Sequence, residues 1–209
     1  MIIIGTTELT LGRQRGVFYC PGCRRQTTYR HRIRRAFVTL YFIPVIPLGK
    51  TAEFVLCENC KEPYEHWVAD QPPEQVEAQC RNAALLHIFR VMLLTMLADD
   101  VASDEEVRVL RGFLASIGAP EPTNEQIERQ IEFLQSSELT AAHYAGQVAD
   151  ELTWEEREQM VAGAFLVASA SGPLSETQLA DLRLLPLALD IDEDRFRQII
   201  AEASERLEV

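Results

Sequence analysis

Two pairs of cysteines carry the clearest chemistry in this sequence. Cys20 and Cys23 form one Cys-x-x-Cys pair, and Cys57 and Cys60 form a second pair after an intervening segment of 33 residues. Each pair can present two sulfur atoms to the same side of an ion, and two pairs complete a tetrahedral shell with Zn–S bonds of about 2.3 Å. Four thiolates leave no coordination position for water or a substrate. The spacing therefore predicts a zinc ion with a structural role.

A redox role is the alternative for the first pair. Cys-x-x-Cys motifs can lower the pKa of a thiol and exchange disulfides, as in thiol oxidoreductases. Enzymes of that kind place the motif at the start of a helix within a βαβ unit, whereas here it follows GVFY and precedes an arginine-rich segment. The oxidoreductase hypothesis also leaves Cys57 and Cys60 without a role.

The segment between the two pairs has the β-branched and aromatic residues that are typical of strands, such as Phe37, Thr39 and Phe54. Strands that join two Cys-x-x-Cys turns around one ion form a zinc ribbon. A domain this small buries little surface, so metal binding supplies much of its folding free energy. The sequence therefore predicts a small β zinc ribbon in the N-terminal third.

The uncharged run from Ala36 to Leu48 has more apolar side chains than one zinc knuckle can bury. Pro44 and Pro47 cannot donate to a sheet ladder, so we expect this run to form an edge or an extended connection instead of a central strand. An apolar surface of this length favours contact with a neighbour. A partner helix, a second copy of the chain and the C-terminal part of the same chain all stay open as that neighbour.

The charges divide the chain into two unlike parts. The formal net charge is -12, but residues 1–70 hold ten Lys or Arg against six Asp or Glu, while residues 71–209 hold ten against 26. The paired prolines in ADQPPE, residues 69–74, interrupt any regular element before them and allow a helix to start after them. We therefore predict a zinc ribbon over residues 1–70 and an all-helical domain over residues 71–209.

An arginine cluster in the ribbon has three possible interpretations. It could neutralise the phosphates of a nucleic acid, although the acidic balance of the whole chain speaks against that. It could meet an anionic membrane surface. The third interpretation, which we favour, is that it solvates one face or docks against the acidic part of the same chain. The cluster comprises Arg24, Arg25, Arg30, Arg32, Arg34 and Arg35.

The acidic part shows the apolar periodicity and the capping signals of about seven helices. Four predicted starts carry a Ser/Thr-x-x-Glu/Gln box, which satisfies amide donors at a helix N-terminus. The boxes are Ser103 with Glu106, Thr123 with Gln126, Thr153 with Glu156, and Ser175 with Gln178. The predicted helices span residues 74–98, 103–117, 123–136, 140–150, 153–170, 175–189 and 192–207.

An internal repeat relates the two halves of this helical part at an offset of 72 residues. Matching positions include Leu94 and Leu166, Ser103 and Ser175, and Leu110 and Leu182. Each half is then a helix, a tight turn and a capped helix. Two such hairpins can pack around a pseudo-two-fold axis and bury a common core.

The N-terminal third also resembles a known family. Residues 2–70 carry the segments IIIG, FYCPGC, FIPVIPLGK and EFVLCENC, and they are similar to a small bacterial zinc-ribbon family with an F-I-P-x-x-P-L-G-K centre between its cysteine pairs. The resemblance implies that Cys20, Cys23, Cys57 and Cys60 are zinc ligands. It implies no catalytic activity.

Residues 80–209, with the segment LTMLADDVASDEEVRVLRGFL, resemble the TerB-like helical domain of tellurite resistance and related stress systems. In that family acidic turn residues are thought to bind a divalent ion, which makes Asp99 and Glu106 the candidates here, and oxygen-rich turns suit hard cations. The second half has Ser171 and Gln178 in place of both acids. Glu106 is also the third residue of the capping box of Ser103, so helix capping is the alternative role.

Enzymatic motifs are missing from the sequence. It has no nucleophile elbow, phosphate-binding Gly-rich loop or dinucleotide fingerprint, so no small-molecule substrate is identified. The four histidines, at positions 31, 66, 87 and 143, show no ligand spacing. The start MIII is too short for a signal peptide, and no apolar run approaches the roughly 20 residues of a membrane span, so we expect a cytoplasmic protein.

Together these patterns predict a mainly α protein with a small β zinc ribbon, followed by an all-α TerB-like bundle. We expect a non-enzymatic adaptor or sensor that acts through a protein partner or self-association. By resemblance, its setting is a bacterial stress response or tellurite or metal resistance. Nucleic-acid binding through residues 24–35 is the first alternative, and thiol oxidoreduction is the second.

Overall fold

The computed structural model describes residues 4–12, 14–99, 102–137 and 139–207. The chain divides into two compact units, residues 1–81 and residues 82–209, and we describe each unit by itself. The division falls inside the first long helix. The domain boundary at residues 70 and 71 therefore stays a prediction.

The first unit is an antiparallel sheet. Its strands, within the described residues, are β1 (Ile4–Leu11), β2 (Arg15–Cys20), β3 (Arg25–Leu40), β4 (Ile43–Cys57) and β5 (Pro63–Glu65). They lie in the order β1-β3-β4-β5, and β2 also pairs with β3. A short 3-10 helix, His66–Asp70, follows β5. The predicted small β ribbon is confirmed.

The β3–β4 hairpin is the long axis of this sheet, and its two ends differ. At the cysteine end, β3 is flanked by β2 and β4, and a small core forms around Phe18, Val55 and Val68. At the other end, β3 pairs with β1 and β4, and the first half of β4 is exposed throughout. As Pro44 and Pro47 predicted, β4 is an edge strand here, since β5 pairs with it only from Phe54 onwards.

The second unit contains the predicted helices. The described residues form α1 (Pro73–Met96), which begins in the first unit, and then α2 (Asp104–Ser116), α3 (Asn124–Gln135), α4 (Ala141–Val148), α5 (Trp154–Ala168), α6 (Glu176–Ala188) and α7 (Glu193–Leu207). All seven expected helices are confirmed, with ends that shift by a few residues. α1, α5 and α6 bury large apolar side chains such as Met92, Met160 and Leu185 in one core.

The four capping boxes form as predicted. In each, the N-cap hydroxyl accepts a hydrogen bond from the third helical amide, and the third side chain accepts one from the N-cap amide. Glu106 and Gln178, which the 72-residue repeat relates, are both buried at the starts of α2 and α6. The two halves therefore share the same helix, turn and capped-helix arrangement.

Candidate metal centre

Two turns of the same shape position the four cysteines. Cys20 ends β2 and Cys57 ends β4. In each turn the amide four residues later donates back to the cysteine carbonyl, from Arg24 to Cys20 at 2.9 Å and from Lys61 to Cys57 at 3.2 Å. Arg24 and Lys61 both adopt left-handed backbone angles, with φ of 51° and 65°. Each strand end thus folds back as a knuckle that aims two sulfur atoms inward.

The four sulfur atoms converge with the spacing of a metal site. Cys20 Sγ lies 3.7 Å from Cys60 Sγ, and Cys23 Sγ lies 3.8 Å from Cys57 Sγ. All four sulfur atoms lie within 4.8 Å of one another. A tetrahedron with Zn–S bonds of about 2.3 Å has S–S edges of about 3.8 Å, so the geometry fits a zinc ion. The predicted ligands are therefore brought together as a set.

Polar groups around the sulfurs support thiolates. The side-chain amide of Asn59 donates to Cys23 Sγ at 3.2 Å, and its backbone amide donates to Cys57 Sγ at 3.4 Å. The Tyr64 hydroxyl lies 3.5 Å from Cys20 Sγ. Such outer groups orient metal ligands and tune their charge.

Burial and hydrogen bonding act differently on the individual thiols. Burial is the main cause that raises the pKa of the Cys20 thiol to about 12. Burial also opposes ionisation of Cys57, but hydrogen bonds from the Cys60 and Asn59 amides, together with those of the Cys60 and Cys20 side chains, outweigh it and lower the pKa of Cys57 to about 7. Metal binding requires thiolates, so an ion that binds all four sulfurs displaces protons from the buried thiols.

The cysteines are free thiols, and both pairs face one centre. The first pair lies in a strand–turn–strand segment, with β2 before it and β3 after it. A thiol oxidoreductase instead places its motif at a helix start. This arrangement favours ligation of one ion over disulfide exchange.

The second predicted ion site receives no such support. The Glu106 carboxylate accepts hydrogen bonds from the Ser103 amide at 2.8 Å and from the Ser103 hydroxyl at 3.0 Å, so helix capping occupies it. The side chain of Asp99, with Asp100, lies outside the described residues. A divalent ion held by Asp99 and Glu106 stays a prediction.

A group that sequence reasoning missed lies in the ribbon. His31, Glu53 and His66 come from three neighbouring segments, and their ligand atoms all lie within 4.8 Å of one another. His31 and His66 are 35 residues apart, so no local spacing revealed them. The pairing of β3 with β4, and of β4 with β5, brings them together. The alternation of residues along paired strands was the one signal that could have linked His31 to Glu53.

The arginine cluster is spread along β3, apart from Arg24 in the turn before it, and acidic residues of the ribbon itself contact part of the cluster. Glu58 pairs with Arg30 and lies 3.7 Å from Arg15. Arg34 lies 3.8 Å from Glu8 and stacks over the ring of Phe54. Local pairing lowers the net positive field that a polyanion would meet.

The tip of the β3–β4 hairpin exposes an apolar surface. We call it the hairpin surface, and Phe42 at the turn is its most exposed member, at 82%. Surfaces of this kind mark interaction sites when they are contiguous. The hairpin surface comprises Leu40, Tyr41, Phe42, Ile43, Val45, Ile46 and Leu48.

Comparisons with known protein families match both the N-terminal and the C-terminal part of the chain. A zinc-ribbon family matches residues 18–87, and the family of the tellurite resistance protein TerB matches residues 84–201. A crystal structure of a tellurite resistance protein from Nostoc punctiforme is 24% identical, covering 61% of this chain and 77% of that chain with a TM-score of 0.37. No curated protein sequence gives a significant match.

No helix in the described parts of the chain combines the length and the apolar character needed to cross a bilayer. The zinc-ribbon match contains all four clustered cysteines, and the TerB match covers more than half of the chain. The chain therefore belongs to the TerB family and carries a zinc ribbon before its TerB domain.

Proposed function

We propose that this chain is a non-enzymatic cytoplasmic adaptor, in which a zinc-stabilised ribbon docks onto a protein partner and the TerB domain links that contact to metal or tellurite resistance. The hairpin surface is the observation that carries the proposal. Its seven side chains are exposed while the cysteine end of the same sheet forms a core. The family supplies the setting, because the matching TerB family is described as tellurite resistance.

A sheet with one uncovered face normally packs against another element. In the part of the chain that the structure describes, the tip region consists of β1, β3 and β4, and Ile43, Ile46 and Leu48 on the edge strand are each more than half exposed. Burial of a side chain of this size is worth about 1.5–3 kcal/mol. Covering the hairpin surface would therefore supply a large part of a binding free energy.

The turn of the hairpin supports an interaction role. Tyr41 and Phe42 have φ of 51° and 67°, a region that is costly for bulky residues and that hairpin turns usually fill with Asn or Gly. Strained backbone tends to persist at functional positions. Here it holds two aromatic side chains at the end of the hairpin, where a partner can meet them first.

The edge of β4 does not favour addition of a partner strand. Pro44 and Pro47 remove two amide donors, and the β3–β4 pairing is irregular at three places in this region. A partner is therefore more favourably bound through side chains on the sheet face. An amphipathic helix with an apolar stripe fits such a face.

Positive charges beside the hairpin surface indicate which residues should border the apolar stripe of the partner helix. Arg35 lies directly opposite Lys50 in the β3–β4 register, and like charges in a cross-strand pair repel each other. Lys50 already pairs with Glu53 of the same strand at 2.8 Å, so an acidic group supplied by the partner would act mainly on Arg35. We therefore propose a helix with an apolar stripe and an acidic border as the occupant, from another protein or from a second copy of the chain.

Photo-crosslinking tests this proposal in cells of the source organism. A benzophenone amino acid at position 42 should form one dominant protein adduct, and the crosslinked peptide should be an acidic amphipathic helix. The matched control is the same amino acid at position 128, an exposed position on α3. Arg35→Glu with Lys50→Glu should remove the adduct.

Two results would contradict the adaptor proposal. One is that crosslinking from position 42 yields only lipid adducts and that the purified chain binds anionic vesicles. The other is an adduct pattern at position 42 that matches the control at position 128. A dominant adduct whose mass is twice that of the chain would identify self-association as the form of the contact.

A further inference from the structure

A second cluster of metal-binding side chains lies on the same sheet face as the cysteine knuckles. The β3–β4 register places Tyr29 opposite Cys57, His31 opposite Val55 and Ile33 opposite Glu53. Because side chains alternate along a strand, His31 and Glu53 both lie on the face that carries Cys57. They are diagonal neighbours across the two strands, one step further from the knuckles.

His31 and Glu53 already make a direct contact. His31 Nε2 lies 2.8 Å from Glu53 Oε1, and only 7% of His31 is exposed. The third member, His66, follows β5, whose Glu65 is paired with Phe54 of β4. The His31 and His66 rings meet edge to face with centroids 4.8 Å apart. Three adjacent segments of the ribbon thus direct two imidazoles and one carboxylate to one place.

We propose that His31, Glu53 and His66 bind a divalent transition-metal ion at a second site, separate from the four cysteines. Two imidazole nitrogens and one carboxylate oxygen suit borderline ions such as Zn²⁺, Co²⁺ and Ni²⁺. The ligand atoms lie within 4.8 Å of one another, so small side-chain rotations bring all three to bonding distance of one ion. The ion takes the place of the hydrogen bond between His31 Nε2 and Glu53 Oε1, and water fills the remaining positions.

Two neighbours prepare the ligands for an ion. Asp70 Oδ2 lies 3.3 Å from His66 Nδ1, so a proton on Nδ1 leaves the lone pair of His66 on Nε2. In metal-binding histidines, the N–H of the second ring nitrogen commonly donates a hydrogen bond to a carboxylate in this way. Lys50 donates to Glu53 Oε2 at 2.8 Å, which leaves Oε1 as the oxygen that faces His31.

The two sites should differ in how firmly they hold metal. Four thiolates enclose the first ion and leave no open position. The second site has three protein ligands, and Glu53 and His66 are partly exposed, so water and competing ligands can reach its ion. The chain would then carry one retained ion and one exchangeable ion. This inference does not depend on the hairpin surface or on the adaptor proposal.

Zinc analysis of the full-length chain tests the second site. After dialysis against micromolar free Zn²⁺, the wild-type chain should hold two equivalents, and brief treatment with a mild chelator should leave one. Glu53→Gln and His66→Ala should each hold one equivalent under both conditions. Asp70→Asn should weaken the second equivalent by about 10–100-fold, because it removes only the orienting carboxylate. The retained first equivalent shows that each variant ribbon is folded.

His143→Ala is the matched control, because His143 is exposed on α4 and outside the cluster. It should keep both equivalents. One equivalent in the wild-type chain would overturn the proposal and leave His31 and Glu53 as a structural pair. A second equivalent that survives in both Glu53→Gln and His66→Ala would also overturn it, as adventitious binding elsewhere.

Discussion

The Tyr64 hydroxyl accepts a hydrogen bond from the backbone amide of Gly22 at 3.0 Å. The same hydroxyl lies 3.5 Å from Cys20 Sγ, so the aromatic residue of β5 reaches across to the first cysteine knuckle. A Cβ atom at Gly22 would lie 2.5 Å from this oxygen. Glycine at position 22 therefore allows Tyr64 to approach the sulfurs, and Tyr64 ties the second knuckle to the first.

Removal of the Tyr64 hydroxyl should weaken zinc binding. Tyr64→Phe keeps the ring, which packs near Phe18, but loses the group beside Cys20. Loss of an outer-shell partner typically costs about 10–100-fold in metal affinity, and competition with a chromophoric chelator measures it. Tyr41→Phe, at the exposed hairpin tip, is the control and should leave affinity unchanged. Equal affinity of the two variants would show that Tyr64 does not act on the metal.

Gly163 on α5 should not tolerate alanine. An added Cβ would lie 2.8 Å from Phe113 and 3.0 Å from Met92 Sδ, inside the helical core. Overpacking costs about 1–3 kcal/mol, which exceeds the roughly 1 kcal/mol that alanine gains in helix propensity. Gly163→Ala should therefore lower the free energy of unfolding in urea titrations.

Gly112 offers the matched control for that substitution. It lies within α2, and a Cβ there meets nothing within 4 Å. Gly112→Ala should stabilise the chain by up to about 1 kcal/mol, since only helix propensity changes. Stabilisation by both substitutions would mean that α5 does not pack closely at Gly163.

The ion pair between α5 and α7 should make stability depend on acid pH. Arg195 donates to both carboxylate oxygens of Glu158, at 2.6 and 2.7 Å, and this hydrogen bonding lowers the pKa of Glu158 below its ordinary value of 4.5. A carboxyl whose folded-state pKa is lowered stabilises the fold above 4.5, and the contribution is lost as pH falls through the folded-state value.

Melting temperatures of Glu158→Gln and wild type should therefore differ most near pH 7. The difference should shrink as the pH falls below 4.5, because the wild-type carboxyl becomes protonated. Glu128→Gln, at an exposed position on α3, should have the same melting temperature as the wild type near pH 7 and below pH 4.5. A difference for Glu158→Gln that stays constant from pH 7 to pH 3 would exclude ionisation of Glu158 as its cause.

Nucleic-acid binding should be weak despite the arginines of β3. Arg30 and Arg34 face Glu58 and Glu8, so fewer cations are available for phosphates. We expect no saturable binding of a labelled DNA duplex or single strand at 150 mM salt. Saturable binding whose affinity falls steeply with salt, and whose slope decreases in Arg32→Ala, would favour the nucleic-acid alternative.

The sequence predicted the helices and the cysteine cluster because both depend on strong local signals. The boxes at Ser103, Thr123, Thr153 and Ser175 mark helix starts through short-range hydrogen bonds, and all four form. Each Cys-x-x-Cys pair is likewise a local turn. The ribbon fold follows once two such turns share one ion.

Features that depend on strand register could not be predicted in the same way. The contact of His31 with Glu53 requires Ile33 to lie opposite Glu53, and a shift of one residue would send one side chain to the other face. The facing pair of Arg35 and Lys50 follows a register shift in the same hairpin. No local pattern in the sequence encodes these long-range alignments.

Zinc content of the purified full-length chain, after loosely held ions are removed with a mild chelator, tests the central claim most directly. The four converging sulfurs predict one retained zinc ion per chain, which should be lost in Cys57→Ser and kept in Cys80→Ser, whose cysteine lies on α1 outside the knuckles. A chain without zinc whose four knuckle cysteines form disulfides, or a Cys57→Ser variant that keeps its zinc, would contradict the account.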